Sequence, residues 1–258
     1  MKAYAKINIF LKLTGLDSRG YHLLNSRFIR LFEPFDELFL STEKKQDGFE
    51  IISDFKCEEN LIEKAYKMLC SKGFESELKE AFKHLSVNLI KNIPVGAGLG
   101  GGSSDAASFL LLVNEELNLR ISKEKLIKMS LELGSDVAFF LSGFLSANVS
   151  GTGEVVQEFE DNIPKIELQT SDIFCSTPKV YKEFDRLFDK NLEAKFKQSL
   201  NESKELLKLS SKQLLNRFEP EFLNDLYKPC LSLYPQMKEL LEKKVFLSGS
   251  GSAVFKRL

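Results

Sequence analysis

Apolar and polar residues alternate from the start of the chain. Over residues 2–13, Ala5, Ile7, Ile9, Leu11 and Leu13 share one face of an extended strand, and Lys6, Asn8, Phe10 and Lys12 share the other. The second face reads as a solvated polar surface, although it projects a lysine and an asparagine side by side. Residues 15–22 are turn-rich, and short strands are expected over 27–32, 37–42 and 49–52, separated by Pro34 and by Asp47-Gly48. Residues 59–73 take helical spacing, with Leu61, Ala65, Met68 and Leu69 on one face and Gly73 as the stop. Residues 85–90 alternate again as a strand, and 106–113 run apolar without glycine or proline, as a helix does. Ser122 opens a further amphipathic helix through Leu126, Met129 and Leu133, closed by Gly134.

The second half continues the mixture. Residues 144–150 and 154–159 form a hairpin around Gly151-Thr152-Gly153, and 166–176 hold two short strands broken at Asp172. Thr177 and Pro178 are the N-cap and first residue of a helix through Tyr181, Phe184 and Leu187. The stretch 190–244, rich in Lys, Glu and Leu and punctuated by Pro220, Pro229 and Pro235, reads as three or four helices with solvated charged faces. The chain closes with strand, glycine turn and strand over 244–255. Two subdomains are expected, 1–160 and 161–258, with strands and helices mixed in each.

One stretch breaks every periodicity. Between Pro94 and Asp105, five glycines fall within seven residues (Gly96, Gly98, Gly100, Gly101, Gly102), followed by Ser103 and Ser104. A strand precedes and a helix follows, so the unit is strand, glycine loop, helix. Glycine lets a ligand approach the backbone closely, and a helix start offers unpaired N–H groups and the positive end of its dipole, which together suit phosphate. The spacing Gly96, Gly98, Gly101 matches G-x-G-x-x-G, but residues 91–95 separate it from the strand and no acid closes a second strand where a dinucleotide fold needs one. Gly102 is followed by serine rather than lysine, which excludes a Walker A loop, and the His-Arg-Asp and Asp-Phe-Gly signatures of protein kinases are missing.

Composition narrows the partners. With 258 residues, a formal net charge of −1 and 43% hydrophobic residues, the chain has ample core and no basic face for nucleic acid or anionic membrane. No apolar run approaches the roughly 20 residues of a membrane span, and Lys6 and Asn8 interrupt any signal-like start. Four scattered cysteines, Cys57, Cys70, Cys175 and Cys230, read as reduced packing residues, and two histidines, His22 and His84, make no metal cluster. A cytoplasmic globular protein is expected. From position alone, Ser135 or Asp136 reads as the cap of a short helix over the apolar residues that follow.

Three separated segments agree with one family: Ala5-Lys6-Ile7-Asn8 with Asp17 to His22, then Pro94 to Asp105, then Leu247-Ser-Gly249-Ser-Gly251-Ser-Ala253. The chain resembles the GHMP small-molecule kinases, and among them the branch acting on 4-diphosphocytidyl-2-C-methyl-D-erythritol. That resemblance implies an α+β fold with an N-terminal domain like ribosomal protein S5 domain 2, a ferredoxin-like C-terminal domain, an active site in the cleft between them, and ATP-dependent phosphorylation of the substrate's 2-hydroxyl. It places the ATP phosphates on Pro94, Val95, Gly96, Ala97, Gly98, Leu99, Gly100, Gly101, Gly102, Ser103 and Ser104. Asp136 matches the catalytic aspartate and Lys6 the lysine beside it. Tyr21, His22 and Tyr181 match residues that hold the cytosine, and Asn8 a substrate-contacting amide. Lys91 is expected at the substrate's phosphates, though a lysine before a loop is commonly just solvated. Mg²⁺ is implied with ATP; its protein ligand is not identifiable, with a Ser103 or Ser104 hydroxyl as the candidate. The implied partners are the small-molecule substrate and ATP, for a monomer or weak homodimer.

Overall fold

The structure is a computed structural model and describes residues 1–55, 60–241 and 244–258. The chain divides into two compact units, the first made of Met1–Ala5, Leu31–Ile93 and Gly100–Gly143, the second of Lys6–Arg30, Pro94–Leu99 and Phe144–Leu258. The dividing line crosses strands β1 (Lys2–Leu16) and β2 (His22–Ser41) and the glycine stretch between Leu99 and Gly100. Residues 161–258 all lie in the second unit, together with three earlier segments.

In the first unit, β3 (Ile51–Ile52) runs parallel to β4 (Ser86–Ile90), and β4 pairs antiparallel with the end of β2, Glu37 facing Ile90 and Ser41 facing Ser86. Helix α1 (Leu61–Leu69) starts where the Asn60 side chain accepts the Ile62 N–H at 2.9 Å, and buries Ile62, Ala65, Met68 and Leu69. Gly73 does not stop it. At φ 98° this residue bends the chain through a wider turn, Cys70–Phe74, into α2 (Glu75–Ala81). The expected start at Glu59 lies outside the described residues, as does Cys57. Helix α3 (Gly101–Glu116) is buried on nearly every side, and its small Ala106 and Ala107 accompany close packing on α1 and on α5 (Val137–Ser142), which also meets α4 (Lys123–Ser130). Phe49 stacks on Tyr66 at 4.0 Å and meets Phe82 and Phe109 edge-on.

In the second unit, the start of β2 pairs antiparallel with β5 (Ser146–Gly151), and β5 turns back into β6 (Val155–Glu158) as the expected hairpin. A separate antiparallel sheet holds β7 (Ile166–Gln169), β8 (Phe246–Leu247) and β9 (Val254–Arg257), with β9 central. Five helices, α6 (Thr177–Phe188), α7 (Leu192–Leu206), α8 (Ser211–Arg217), α9 (Pro220–Leu223) and α10 (Tyr227–Leu233), fill the rest among the described residues, with α6 packed on α7 and α10. No helix among the described residues is long and apolar enough to cross a membrane.

Five further expectations change. Pro34 does not divide β2, which runs unbroken through it between the registers with β5 (residues 24–29) and β4 (residues 37–41). Residues 173–176 are not a strand, and Ser176 rather than Thr177 stands at the N-cap of α6. The helix after the glycines begins at Gly101, so the last two glycines and both serines are its first turn. Finally, the polar face of β1 is not solvated: Lys6, Asn8 and Lys12 are all buried. Lys12 reaches Glu202 at 2.6 Å and Asp225 at 3.3 Å, which supplies the partners that a buried ammonium requires.

Candidate active site

Left-handed glycines at every second position, Gly96, Gly98 and Gly100, curl the backbone before α3 begins. Gly98 has the strictest need. Its φ is 74°, and an added Cβ would sit 2.4 Å from the Ser248 carbonyl oxygen. Three successive carbonyls of this loop are tied down: Ala97 accepts from the Ala253 N–H (3.0 Å), Gly98 from the Ser248 hydroxyl (3.1 Å), and Leu99 from the Lys6 N–H (2.9 Å). The closing Ser-Gly-Ser turn near the C-terminus is therefore the support of the loop's first half. In the first unit, Ser104 N–H donates to Gly100 O at 2.9 Å, the first bond of α3, so the N–H groups just before it are those a helix leaves for an anion.

The approach to the loop is held by charge. Asp36 Oδ1 accepts the N–H groups of Asn92 (2.5 Å) and Ile93 (2.8 Å), and Lys91 Nζ sits between Asp36 and Asp105, 2.7 Å from the latter. Lys91 is thus neither solvated nor free to serve as a plain cation for substrate phosphate; its ammonium is committed to two buried carboxylates. Burial pushes the Asp105 carboxyl up to about 7, against the pull of Lys91 and with the charge of Asp36 adding to the rise. Neither acid was given a role from sequence. Asp105 was visible only as the residue ending the glycine motif, and Asp36 carried no local signal.

On β1, Lys6 Nζ donates to Asn8 Oδ1 at 2.7 Å and lies 4.6 Å from the centre of the Phe28 ring, while Asn8 Nδ2 donates to Ser26 Oγ at 3.0 Å. The amide of Asn8 is held oxygen-side to the lysine, and its oxygen lies 3.4 Å from where a side chain at Gly249 would begin. Asp136 stands at the N-cap position of α5 with helical dihedrals, half-buried, and makes no side-chain capping bond. The capping role that position suggested is not what its carboxylate does. In the same unit, Ser103 Oγ lies 4.0 Å from the point where a side chain at Gly134 would begin, which sets the first turn of α3 against the segment leading to Asp136.

His22 and Tyr181 come together, ring centres 5.0 Å apart and tilted 58°. One turn after Tyr181 on α6, Asp185 Oδ1 lies 2.8 Å from His22 Nε2, a partner the sequence did not single out. Tyr21 is 63% exposed, but its backbone is fixed: Asp17 Oδ1 accepts the N–H groups of Arg19 and Tyr21, each at 2.9 Å. Its ring faces Arg19 at 5.0 Å. A flat aromatic held by its backbone and largely exposed is suited to stacking.

No group of three or more His, Cys, Asp or Glu side chains among the described residues could hold a metal ion by itself. The oxygens near the loop are the half-buried Ser103 hydroxyl and the buried Ser104 hydroxyl. That donor set fits Mg²⁺ in the way Mg²⁺ prefers, carried on phosphate oxygens and waters with one or two protein oxygens added.

A glycine loop opening a buried helix, braced by a C-terminal Gly-Ser turn, agrees with what comparison finds. Residues 60–144 match the family description "GHMP kinases N terminal domain", and with the full-length relatives below they place the chain among the GHMP kinases. The 4-diphosphocytidyl-2-C-methyl-D-erythritol kinase of Campylobacter jejuni strain 81-176 is 58% identical over 260 residues, covering 99% of both chains. The enzyme of the same name from Sulfurimonas denitrificans is 41% identical over 261 residues, covering 99% of this chain and 95% of its own. A crystal structure of 4-(cytidine 5'-diphospho)-2C-methyl-D-erythritol kinase superposes with a TM-score of 0.71 at 28% identity, covering 100% of this chain and 90% of that one. Within the class, the chain belongs to the 4-diphosphocytidyl-2-C-methyl-D-erythritol kinase family.

Proposed function

We propose that this chain transfers the γ-phosphoryl group of ATP to the 2-hydroxyl of 4-diphosphocytidyl-2-C-methyl-D-erythritol, giving the 2-phosphate and ADP, in non-mevalonate synthesis of isopentenyl diphosphate. Full-length identity to enzymes of that name supports the substrate, and the loop geometry supports the chemistry. The observation that carries the reading is the bracing of residues 97–99 by β1 and the C-terminal turn, because phosphoryl transfer depends on positioning and charge more than on covalent help.

In this reading residues 94–104 take the ATP phosphates, with Mg²⁺ supplying further neutralisation of their charge and Ser103 or Ser104 offering it an oxygen. Asp136, half-buried at the start of α5, accepts the proton of the attacking hydroxyl. Lys6 stabilises charge on the reacting oxygens, with Asn8 fixing its ammonium and contacting substrate. Tyr21 and Tyr181 stack on the cytosine and His22, steadied by Asp185, binds its edge. Lys91 holds the base of the loop instead of touching substrate. The enzyme works in the cytoplasm as a monomer or weak homodimer, and no spanning helix among the described residues opposes that.

The test is the product itself. Incubated with ATP, Mg²⁺ and the cytidyl alcohol, the protein should yield ADP and one new phosphomonoester, visible by phosphorus NMR and coupled to no proton of the carbon bearing it, as a tertiary C2 requires. A phosphomonoester on a primary or secondary carbon would overturn the assignment.

A further inference from the structure

The two buried cysteines of the second unit are free thiols, as reduced packing residues are, and they stand side by side. Cys175, in the irregular segment between β7 and α6, and Cys230, on α10, have their Sγ atoms 3.9 Å apart, and both side chains are buried. A disulfide needs about 2.05 Å between sulfurs, so the thiols stand about 2 Å from bonding distance. Gly251 lies beside both, with no room for a side chain between. A Cβ built on it would lie 3.1 Å from Cys230 Sγ and 3.3 Å from Cys175 Sγ. From Gly251 the contacts lead straight to the phosphate loop. Its N–H donates to Ser248 O (3.0 Å), the Ser248 hydroxyl donates to Gly98 O (3.1 Å), and Ala253 N–H donates to Ala97 O (3.0 Å). Gly98 has no slack toward that turn, since a Cβ there would meet Ser248 O at 2.4 Å and Gly251 O at 3.1 Å.

We infer that Cys175 and Cys230 form a peroxide-oxidisable dithiol whose closure to a disulfide displaces Gly251 and, through Ser248 and Ala253, loosens the glycine loop's hold on ATP. The effect on ATP rests on the phosphate-loop reading above; the cross-link itself does not. The hydrogen bond from Cys230 draws the Cys175 thiol below its usual range, against its burial, while Cys230 is pushed up. Cys175 is then the attacking group, since the thiolate is the nucleophile. Its sulfur attacks one oxygen of hydrogen peroxide, the O–O bond breaks, and a sulfenic acid and one water result. Cys230 sulfur attacks that sulfenic sulfur, the S–O bond breaks, and the second water leaves with the Cys230 proton. Two thiols and one peroxide give one disulfide and two waters. Oxidant reaches the pair through opening of the segment before α6, where the neighbouring Phe174 is 65% exposed.

The experiment compares full-length protein, reduced or treated with hydrogen peroxide, by peptide mass spectrometry and by ATP titration calorimetry, alongside Cys175→Ala and Cys230→Ala. The expected result is a Cys175–Cys230 linked peptide, two hydrogens lighter than its reduced parts. ATP affinity should fall about tenfold or more, return with dithiothreitol, and resist peroxide in either variant. Peroxide that yields no such linked peptide overturns the pair. A linked peptide with unchanged ATP affinity overturns the coupling, as does an equal loss of affinity in the variants. Reduced protein that binds no ATP overturns the phosphate-loop reading and the coupling built on it, while the mass shift still decides the cross-link.

Discussion

The Lys6 backbone N–H donates to the Leu99 carbonyl across 2.9 Å, so the strand that carries the proposed catalytic ammonium also fixes the last residue of the loop's first half. Two residues later, and next on the same face, Asn8 holds the Lys6 ammonium at 2.7 Å. Positioning of the lysine and of the loop are therefore one structural event. A change that shifts β1 by a fraction of an ångström should disturb both phosphate binding and transfer.

Asp136→Asn is expected to lower kcat by about 10²–10⁴-fold, the range for removal of a general base. ATP affinity should stay near wild type, because the change removes a base at the acceptor and leaves the phosphate loop untouched. Steady-state kinetics with ATP titration calorimetry checks this, and near-normal turnover would remove Asp136 from the role.

Gly98→Ala places a side chain at φ 74° with its Cβ 2.4 Å from the Ser248 carbonyl oxygen. The left-handed conformation alone costs an L-residue roughly 1–2 kcal/mol, and the backbone must move besides. ATP affinity is expected to drop at least tenfold, or about 1.4 kcal/mol. Equal affinity in the variant would show that the braced loop is not the phosphate site.

Tyr21→Ala should weaken binding of the cytidyl substrate by roughly 1–3 kcal/mol, the scale of base–aromatic stacking, with little change in ATP affinity. At 63% exposure the ring contributes little to folding, which keeps the readout clean. An unchanged Kd for the cytidyl substrate would rule out the stack.

Asp105 gives a pH signature. Burial raises its carboxyl from 3.8 in the unfolded chain to about 7 in the fold. Between those values the native state binds the extra proton, so this group's contribution to stability is greatest below about pH 4, falls as pH rises toward 7, and is flat beyond. Asp105→Asn should remove that slope, so that the variant gains on wild type by on the order of 1–4 kcal/mol between pH 5 and pH 8. Urea denaturation of both proteins at the two pH values measures it; parallel profiles would contradict the raised carboxyl.

Arg27 tests the second unit. Its guanidinium is fully buried, donates to Leu207 O (3.0 Å), Leu209 O (3.2 Å) and Asn148 (2.6 Å), stacks on Phe159 at 3.4 Å and faces Asp161 at 3.5 Å. Arg27→Ala should cost about 3–5 kcal/mol in urea denaturation, because Asp161 and two carbonyls are left buried without their cation. A loss under 1 kcal/mol would mean that the cluster relaxes around the gap.

Much of this architecture was legible in the chain, and the failures share a cause. Alternation marked β1, and Gly151 to Gly153 marked the β5–β6 hairpin, because strand period and turn chemistry are local. Pro34 and Gly73 were read as breaks by the same local rules. What overrode them was pairing: Pro34 falls between two ladder registers, and Gly73 bends a chain that resumes its helix. Asn8 and Lys12 looked solvated because their partners, Ser26 and Asp225, lie far along the sequence. The same distance hid Asp36 and Asp105 around Lys91 and Asp185 beside His22. Lys6 and Asp136 were ambiguous in pattern, and only the family resemblance gave them roles.

The most direct measurement of the central claim is turnover with ATP and Mg²⁺ across four alcohols: the diphosphocytidyl-methylerythritol substrate, free methylerythritol phosphate, homoserine and mevalonate. Phosphorylation confined to the cytidyl alcohol is the expected result, and it would tie the glycine loop and the Tyr21–His22–Tyr181 aromatics to one reaction. Faster turnover of any of the other three, or ATP binding without transfer to the cytidyl alcohol, would contradict it.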